Sequence, residues 1–301
     1  MVKPSLKKEL VVYLQKQYQK SLRFTCEVVN LHRSQWYYKS KRDDSEVIAK
    51  LNEYAESIPT YGFDEYFWRI RKEGLIWNRK RVLRIYREMK LTFRRKRKRP
   101  FPKREAHPLE VQTRPNEVWS MDFMSDSLMD KRRIRVFNVI DDFNREALMC
   151  EVGISFPADR VIRLLDRLIE ERGKPKYIRT DNGTEFTALV YKDWCSYHGI
   201  EMVYIQPGKP TQNAYVERFN QEFRKGVLDA YLFESIRDAQ HRAEEWRYDY
   251  NHYHPHKSLG RKTPIELKME FVNSGKLREF TTINKSNNDN KNKKLLNLEL
   301  S

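Results

Sequence analysis

Three carboxylates, Asp122, Asp181 and Glu217, each stand where an acid needs a reason. Asp181 lies in KYIRTDNGTEF, residues 176–186, where a short apolar run, Tyr177-Ile178, leads into the acid, then Asn-Gly, then Glu185. The pattern reads as a strand that stops on a carboxylate and turns, with Gly183 easing the bend. Asp122 falls in the middle of the strand-like VWSMDFMSD. Glu217 lies in TQNAYVERFNQEFRK, a helical stretch that follows a loop at 207–210. Acids drawn together from such distant points repel one another and stay ionised together only around hard cations. Mg²⁺ (or Mn²⁺) suits carboxylate oxygens. Two such ions about 3.5–4 Å apart serve in-line phosphoryl transfer.

Each residue taken singly has a plainer reading. Asp-Asn-Gly is a common turn, and a Glu on a helix is less informative still. Asp126, Asp141, Asp142 and Glu185 are rival acids, assigned here to surface, turn or supporting positions. The helix around Glu217 adds weight. Asn213, Asn220, Gln221 and Arg224 share the face of Glu217 at helical spacing, while Ala214, Phe219 and Phe223 fall away from it. A polar face that ends in a cation suits a phosphodiester, so these four residues are candidate DNA contacts.

The elements that must position the acids are legible in outline. From Asn116 the pattern turns to strands: 118–126, 133–141 and 145–153, with spacers short enough for antiparallel neighbours. A helix over 158–172 carries Val161, Leu164, Leu165 and Leu168 inward and stops at Gly173. A strand at 176–181, a helix near 189–197, a strand at 200–205 and a long helix from about Thr211 complete the series. Three antiparallel strands followed by strand–helix alternation is the order of a ribonuclease H-like α/β domain. Asp181 then sits at the C-terminal end of its strand, where an α/β sheet opens into a site.

The N-terminal third is different. Residues 1–104 hold 28 Lys/Arg against 11 Asp/Glu, and residues 105–301 hold 31 of each, so the whole net charge of +17 sits in the first part. A basic block on a neutral body points to a polyanion partner for the block. Residues 1–40 read as short helices with Leu6, Leu10, Val11, Leu14 and Tyr18 at helical spacing and a helix-turn-helix-like piece with Ser34 as N-cap. Residues 41–93 read as a second helix-turn-helix-like unit. Its last helix turns Val82, Leu83, Tyr86 and Met89 inward and Arg79, Lys80, Arg84 and Arg87 outward, toward DNA phosphates. A solvated helical face is the alternative. Residues 94–115 form a basic, Pro-containing linker in which Arg94, Arg95, Lys96, Arg97 and Lys98 are further candidate DNA contacts. The core spans 116–275, and the Asn/Lys-rich 276–301 is expected to be disordered.

Cys26, Cys150 and Cys195 are odd in number and widely spaced, which excludes a disulfide framework and a paired-cysteine zinc site and fits a reducing cytoplasm. No apolar run reaches the length of a membrane span, and the first residues lack an apolar signal core, so a soluble intracellular protein with no membrane partner is expected.

WSMDF, RTDNGTEF and NAYVERFN, with 35 residues between Asp181 and Glu217, closely resemble the catalytic core of bacterial insertion-sequence transposases related to retroviral integrases. The match is to the second-frame product of the IS-three family. VIDDFNRE, PGKPTQNAYVERFNQEFR and WRYDYNHYHPHKSLGRKTPIE extend the resemblance over roughly residues 30–270. It implies a retroviral integrase-type core behind small all-α helix-turn-helix units, and it implies Asp122, Asp181 and Glu217 as catalytic, metal-holding acids. It further implies two bound Mg²⁺ (or Mn²⁺) ions, DNA ends and target DNA as partners, a homo-multimer on DNA, and a bacterial cytoplasmic setting. The family's terminal motif usually has Arg where this chain has His254, which leaves one phosphate or packing contact open. Family members often fuse to an upstream-frame product with a helix-turn-helix and leucine zipper, and no zipper heptads occur here. The expected activity is therefore DNA cleavage and strand transfer. A nuclease that cuts without joining and a DNA-binding regulator with an inactive core are the alternatives.

Overall fold

The computed structural model describes residues 4–38, 43–93, 112–205 and 213–274. The expected basic tract at 94–98 and the tail 276–301 lie outside these residues. The chain divides into two compact units, Met1–Lys50 and Leu51–Ser301.

The first unit holds α1 (Pro4–Tyr18), α2 (Leu22–Val28) and α3 (Arg33–Tyr37). Its core is small: Val11, Cys26 and Leu31 are buried, with Leu22, Val29 and Trp36 against them. Leu6, Leu10 and Tyr18 of the expected α1 stripe are exposed instead. The N-cap of α3 is His32, not Ser34: the His32 ring accepts from the Ser34 backbone N–H. The imidazole does here what a short hydroxyl does at most helix starts.

Three helices follow: α4 (Ser45–Ser57), α5 (Phe63–Lys72) and α6 (Arg79–Glu88). Asn78 caps α6 by accepting from the Lys80 N–H. Val82, Ile85 and Tyr86 are the buried stripe of α6, and Leu83 is only half-buried. The reason is spacing: positions 82, 85 and 86 lie on one helix face, while 83 is turned about 100° from 82.

The second unit is built on a five-stranded sheet in the order β3-β2-β1-β4-β5. Strands β1 (Val118–Ser127), β2 (Arg133–Asp141) and β3 (Ala147–Gly153) are antiparallel; β4 (Tyr177–Thr180) and β5 (Glu201–Tyr204) run parallel to β1. This is the ribonuclease H-like arrangement that the sequence implies. Side chains alternate across it. Trp119, Met121, Phe137, Val139 and Leu148 pack under α7 (Ala158–Arg172) and α9 (Leu189–His198). Met124, Ile134, Val136, Ile140 and Cys150 pack under α10 (Ala214–Phe223) and α11 (Ile236–His252). The short α8 (Thr184–Thr187) follows β4, and α12 (Pro264–Asn273) closes the chain behind a Thr263–Glu266 capping box.

Two details fix the helices near the site. The expected helix start at Thr211 falls outside the described residues; α10 is described from Ala214. Beyond it the backbone widens into a single π turn, Arg224–Leu228. A Cβ on Gly226 in that turn would lie 2.1 Å from the Trp246 indole nitrogen, so only glycine lets α11 approach here. Helix α5 is anchored on α11 by a two-pronged ion pair, with Arg69 Nη1 and Nη2 at 2.7 and 2.6 Å from the Asp249 carboxylate oxygens. The Trp246 indole N–H donates to Tyr61 at 3.1 Å, and Lys72 pairs with Glu266.

Candidate active site

The three acids reach the same region by three routes. Each β1 residue faces the β4 residue 59 positions on, Val118 with Tyr177 and Ser120 with Arg179. Carried two residues further, that register brings Asp181, directly after β4, level with Asp122 on the neighbouring strand. Alternation puts Asp122 on the sheet face of Met124, the face covered by α10. Glu217 is in the first turn of α10. All three are half-buried.

A buried amide relay locks α10 to the sheet. Asn138 lies directly opposite Asp122 in the β1–β2 register. Its Nδ2 donates to Asn220 Oδ1 at 2.8 Å, and Asn220 Nδ2 donates to Asp122 Oδ2 at 2.8 Å. The Phe123 backbone N–H donates to Asp122 Oδ1 at 2.8 Å. Asn220 therefore holds a carboxylate in place and is turned inward, not toward DNA as its helical position suggests. Sequence reasoning misses Asn138, although it carries a signal: it is a polar residue in the apolar run RIRVFNVID.

The remaining residues of the expected face divide. Gln221 is exposed, and Asn213 is buried just before α10 with its Oδ1 unpartnered. Arg224 donates to the Ser125 carbonyl at 2.9 Å and lies 3.4 Å from Asp126 Oδ2, so it ties the π turn to β1. Gly183 is not needed for an unusual turn, because its φ is −57°. It is needed for closeness: an added Cβ would lie 3.1 Å from Asp181 Oδ1 and 3.2 Å from Glu185 Oε2. The Gly183 N–H donates to Asp181 Oδ1 at 3.1 Å.

Electrostatics separates these acids from their rivals. The Asp122 carboxyl is pushed up to about 6, first by burial and then by the charges of Asp181 and Glu217, against the lowering effect of its hydrogen bonds. Glu217 is raised by burial. Among the described residues, none of the three forms an ion pair. The rivals are all answered. Glu185 pairs with Arg135, and Asp126 with Arg224. Asp142 takes Arg179. Asp141 accepts from the Asn116 and Phe143 N–H groups at 2.8 and 2.9 Å. Asp141 and Asp142 are buried, not surface residues. A set of oxygen donors, mutually repelling and without cations, fits a hard divalent ion at Asp122, Asp181 and Glu217.

On the helical segment, Lys80 and Arg87 project from α6 into solvent. Arg79 is turned back, 2.7 Å from Asp64 and over the Phe63 ring, and Arg84 pairs with Glu88. His254, which stands in for the family's Arg, is buried beside Glu65 and Glu222.

Comparison with known proteins matches residues 112–210 and 198–264 to integrase core domains and residues 41–99 to an HTH-like domain. The chain is 40% identical over 249 residues to the "Insertion element IS407 uncharacterized 31.7 kDa protein" of Burkholderia multivorans, covering 82% of this chain and 90% of that protein. It is 26% identical over 238 residues to the "Transposase InsD for insertion element IS2A/D/F/H/I/K" of Escherichia coli, covering 74% and 78%. Among solved structures, the simian T-cell lymphotropic virus intasome with the PP2A regulatory subunit B56 gamma aligns at a TM-score of 0.46 and 16% identity, over 73% of this chain and 74% of that one.

Proposed function

The chain belongs to the insertion-element transposase family that carries an integrase core domain, and from that premise we propose that it cuts DNA at the ends of its element and joins the freed 3′ ends to new DNA. Both steps are in-line phosphoryl transfers served by one site, Asp122, Asp181 and Glu217. The single observation that carries this reading is the acid trio at the β1–β4 ends under α10, without an ion-pair partner among the described residues, beside rival acids that are all paired.

Asp122, Asp181 and Glu217 would hold Mg²⁺ or Mn²⁺, two ions by the resemblance, which activate the attacking oxygen and stabilise the leaving one. The chain's own residues prepare the ground. Asn138 and Asn220 fix the Asp122 carboxylate and the pitch of α10, so Glu217 is presented without a search for position. Arg224 sets where α10 ends against β1. Lys80 and Arg87 of the HTH-like domain, with the tract Arg94, Arg95, Lys96, Arg97 and Lys98, supply sequence-independent phosphate affinity that brings DNA to the site. The enzyme acts as a homo-multimer on paired ends, alone or with an upstream-frame product, in the bacterial cytoplasm.

A strand-transfer assay on a labelled element end, with and without Mg²⁺, tests the reading. Metal-dependent nicking followed by joined products supports it. Nicking without joining marks a nuclease, and binding without nicking marks a regulator; either result contradicts the proposal.

A further inference from the structure

About a helical turn beyond Glu217 on α10, a second group of potential ligands is better assembled than the acid trio. Glu222, His254 and His256 each offer one ligand atom, and these atoms all lie within 4.8 Å of one another. Glu222 comes from α10, and both histidines come from the segment after α11. Glu222 Oε2 is 3.6 Å from His254 Nε2. Glu222 Oε1 is held by Arg218 at 2.7 Å, which fixes the carboxylate and leaves Oε2 to the histidines.

The histidines are the informative members. His256 is buried, and its Nε2 has no hydrogen-bond partner. An imidazole protonated on one nitrogen carries a bare lone pair on the other. Leaving such an acceptor buried and unmatched is costly unless a donor or a Lewis acid meets it. His254 is equally enclosed, stacked flat on Tyr250 with an 8° angle between the rings. Its Nδ1 lies 3.0 Å from Glu65 Oε1, out of line for a hydrogen bond.

We propose that Glu222, His254 and His256 form a site for one divalent transition-metal ion of the zinc class, separate from the acid trio. Two imidazoles and one carboxylate are a zinc-type donor set; Mg²⁺ prefers oxygen alone. Ligands around a tetrahedral zinc at 2.0–2.1 Å stand about 3.4 Å apart, so closure takes roughly 1 Å of side-chain adjustment. Glu222, His254 and His256 themselves line a cavity of about 980 Å³, with Tyr61, Arg145, Arg218, Lys257 and Arg261 among others, which has room for a water or an anion as a fourth ligand. The ion would pin α10 to the segment after α11. Its influence on Glu217 rests on the function proposed above; its binding does not.

Full-length protein, stripped with chelator and passed through a desalting column after loading with Co²⁺ or Zn²⁺, is the test. The expected result is one retained ion per chain and the intense visible absorption of four-coordinate Co²⁺, unchanged in Asp122→Asn and lowered at least tenfold in affinity in His256→Gln and Glu222→Gln. Should His256→Gln fail to fold by circular dichroism, X-ray absorption on the wild-type zinc form decides by counting two imidazole ligands. No retained ion, a six-coordinate spectrum, or equal binding by the folded variants would overturn the site and leave only a bridging water at His256. Loss of binding in Asp122→Asn would also overturn it, by assigning the ion to the acid trio.

Discussion

At the corner formed by Asp141, Asp142 and Glu146, three carboxylates are buried with their charges answered, while under α10 Asp122, Asp181 and Glu217 have no ion-pair partner among the described residues. Arg172 and Lys268 take Glu146 at 3.0 and 2.9 Å, Arg179 takes Asp142, and backbone N–H groups take Asp141. Burial raises carboxyl pKa values in both places, to about 7 at Asp141 and about 6 at Asp122. Desolvation alone therefore does not mark a site. What separates the groups is whether the fold supplies the counter-charge or leaves it to be supplied from outside.

The sharpest way to break the comparison is to exchange charge for shape in each group. Asp181→Asn and Glu217→Gln each remove a metal ligand. The expected loss of strand cleavage is on the order of 10³-fold, beyond the 10–100-fold typical of supporting residues, with DNA affinity retained in a filter-binding assay. Near-normal cleavage by either variant would remove that residue from the site.

Asp142→Ala acts on the other group and should leave cleavage per folded molecule unchanged. It strands the Arg179 guanidinium in a buried setting, which costs about 3–5 kcal/mol in urea unfolding. Asp142 is thus a structural acid and a poor choice as an innocuous control.

Asp122→Asn should carry the opposite sign. Its folded-state pKa lies above the unfolded value near 3.9, so the cost of ionisation builds as pH rises from about 4 and is complete above about 6. In metal-free buffer the stability of the variant relative to the wild type should rise by on the order of 1–3 kcal/mol between about pH 4 and pH 7.5, set against the hydrogen bond from Asn220 or Phe123 that an amide can no longer accept. The gain should fade as pH falls from about 6 to 4, where the wild-type carboxyl takes up its proton. A stability difference that stays constant between about pH 4 and pH 7.5 would mean that the trio is compensated after all.

The smallest expected effect belongs to the helical segment. Replacing Lys80 and Arg87 together by Ala should flatten the slope of log affinity against log salt by up to about 0.9 for each phosphate that is no longer neutralised. An unchanged slope would make them a solvated face.

Much of this is legible in the sequence because period-2 and period-3.6 patterns are strong in the core. The strands around Asp122 and before Asp181, and the helix over 158–172, follow from alternation and from Gly173 alone. Pairings across long separations are not legible. Nothing local in Asn138 or Asn220 says that they meet, and an asparagine on a polar face reads as a ligand contact until a partner 82 residues away is seen. The same holds for Arg69 and Asp249, 180 residues apart. The first unit departs from expectation for another reason. Its core is so small that Leu6, Leu10 and Tyr18 cannot all be covered, and periodicity says which residues share a face, not whether anything covers it.

If, of these two acid groups, only the trio awaits a cation, metal-dependent melting shows it most directly. Thermal unfolding of the wild type, Asp122→Asn and Asp142→Asn is measured with and without saturating Mg²⁺ or Mn²⁺. An ion that binds the folded state at about 100 times its Kd stabilises by about 2.7 kcal/mol. The predicted result is that gain in the wild type and in Asp142→Asn and its loss in Asp122→Asn. A gain that survives in Asp122→Asn, or one that vanishes in Asp142→Asn, would contradict it.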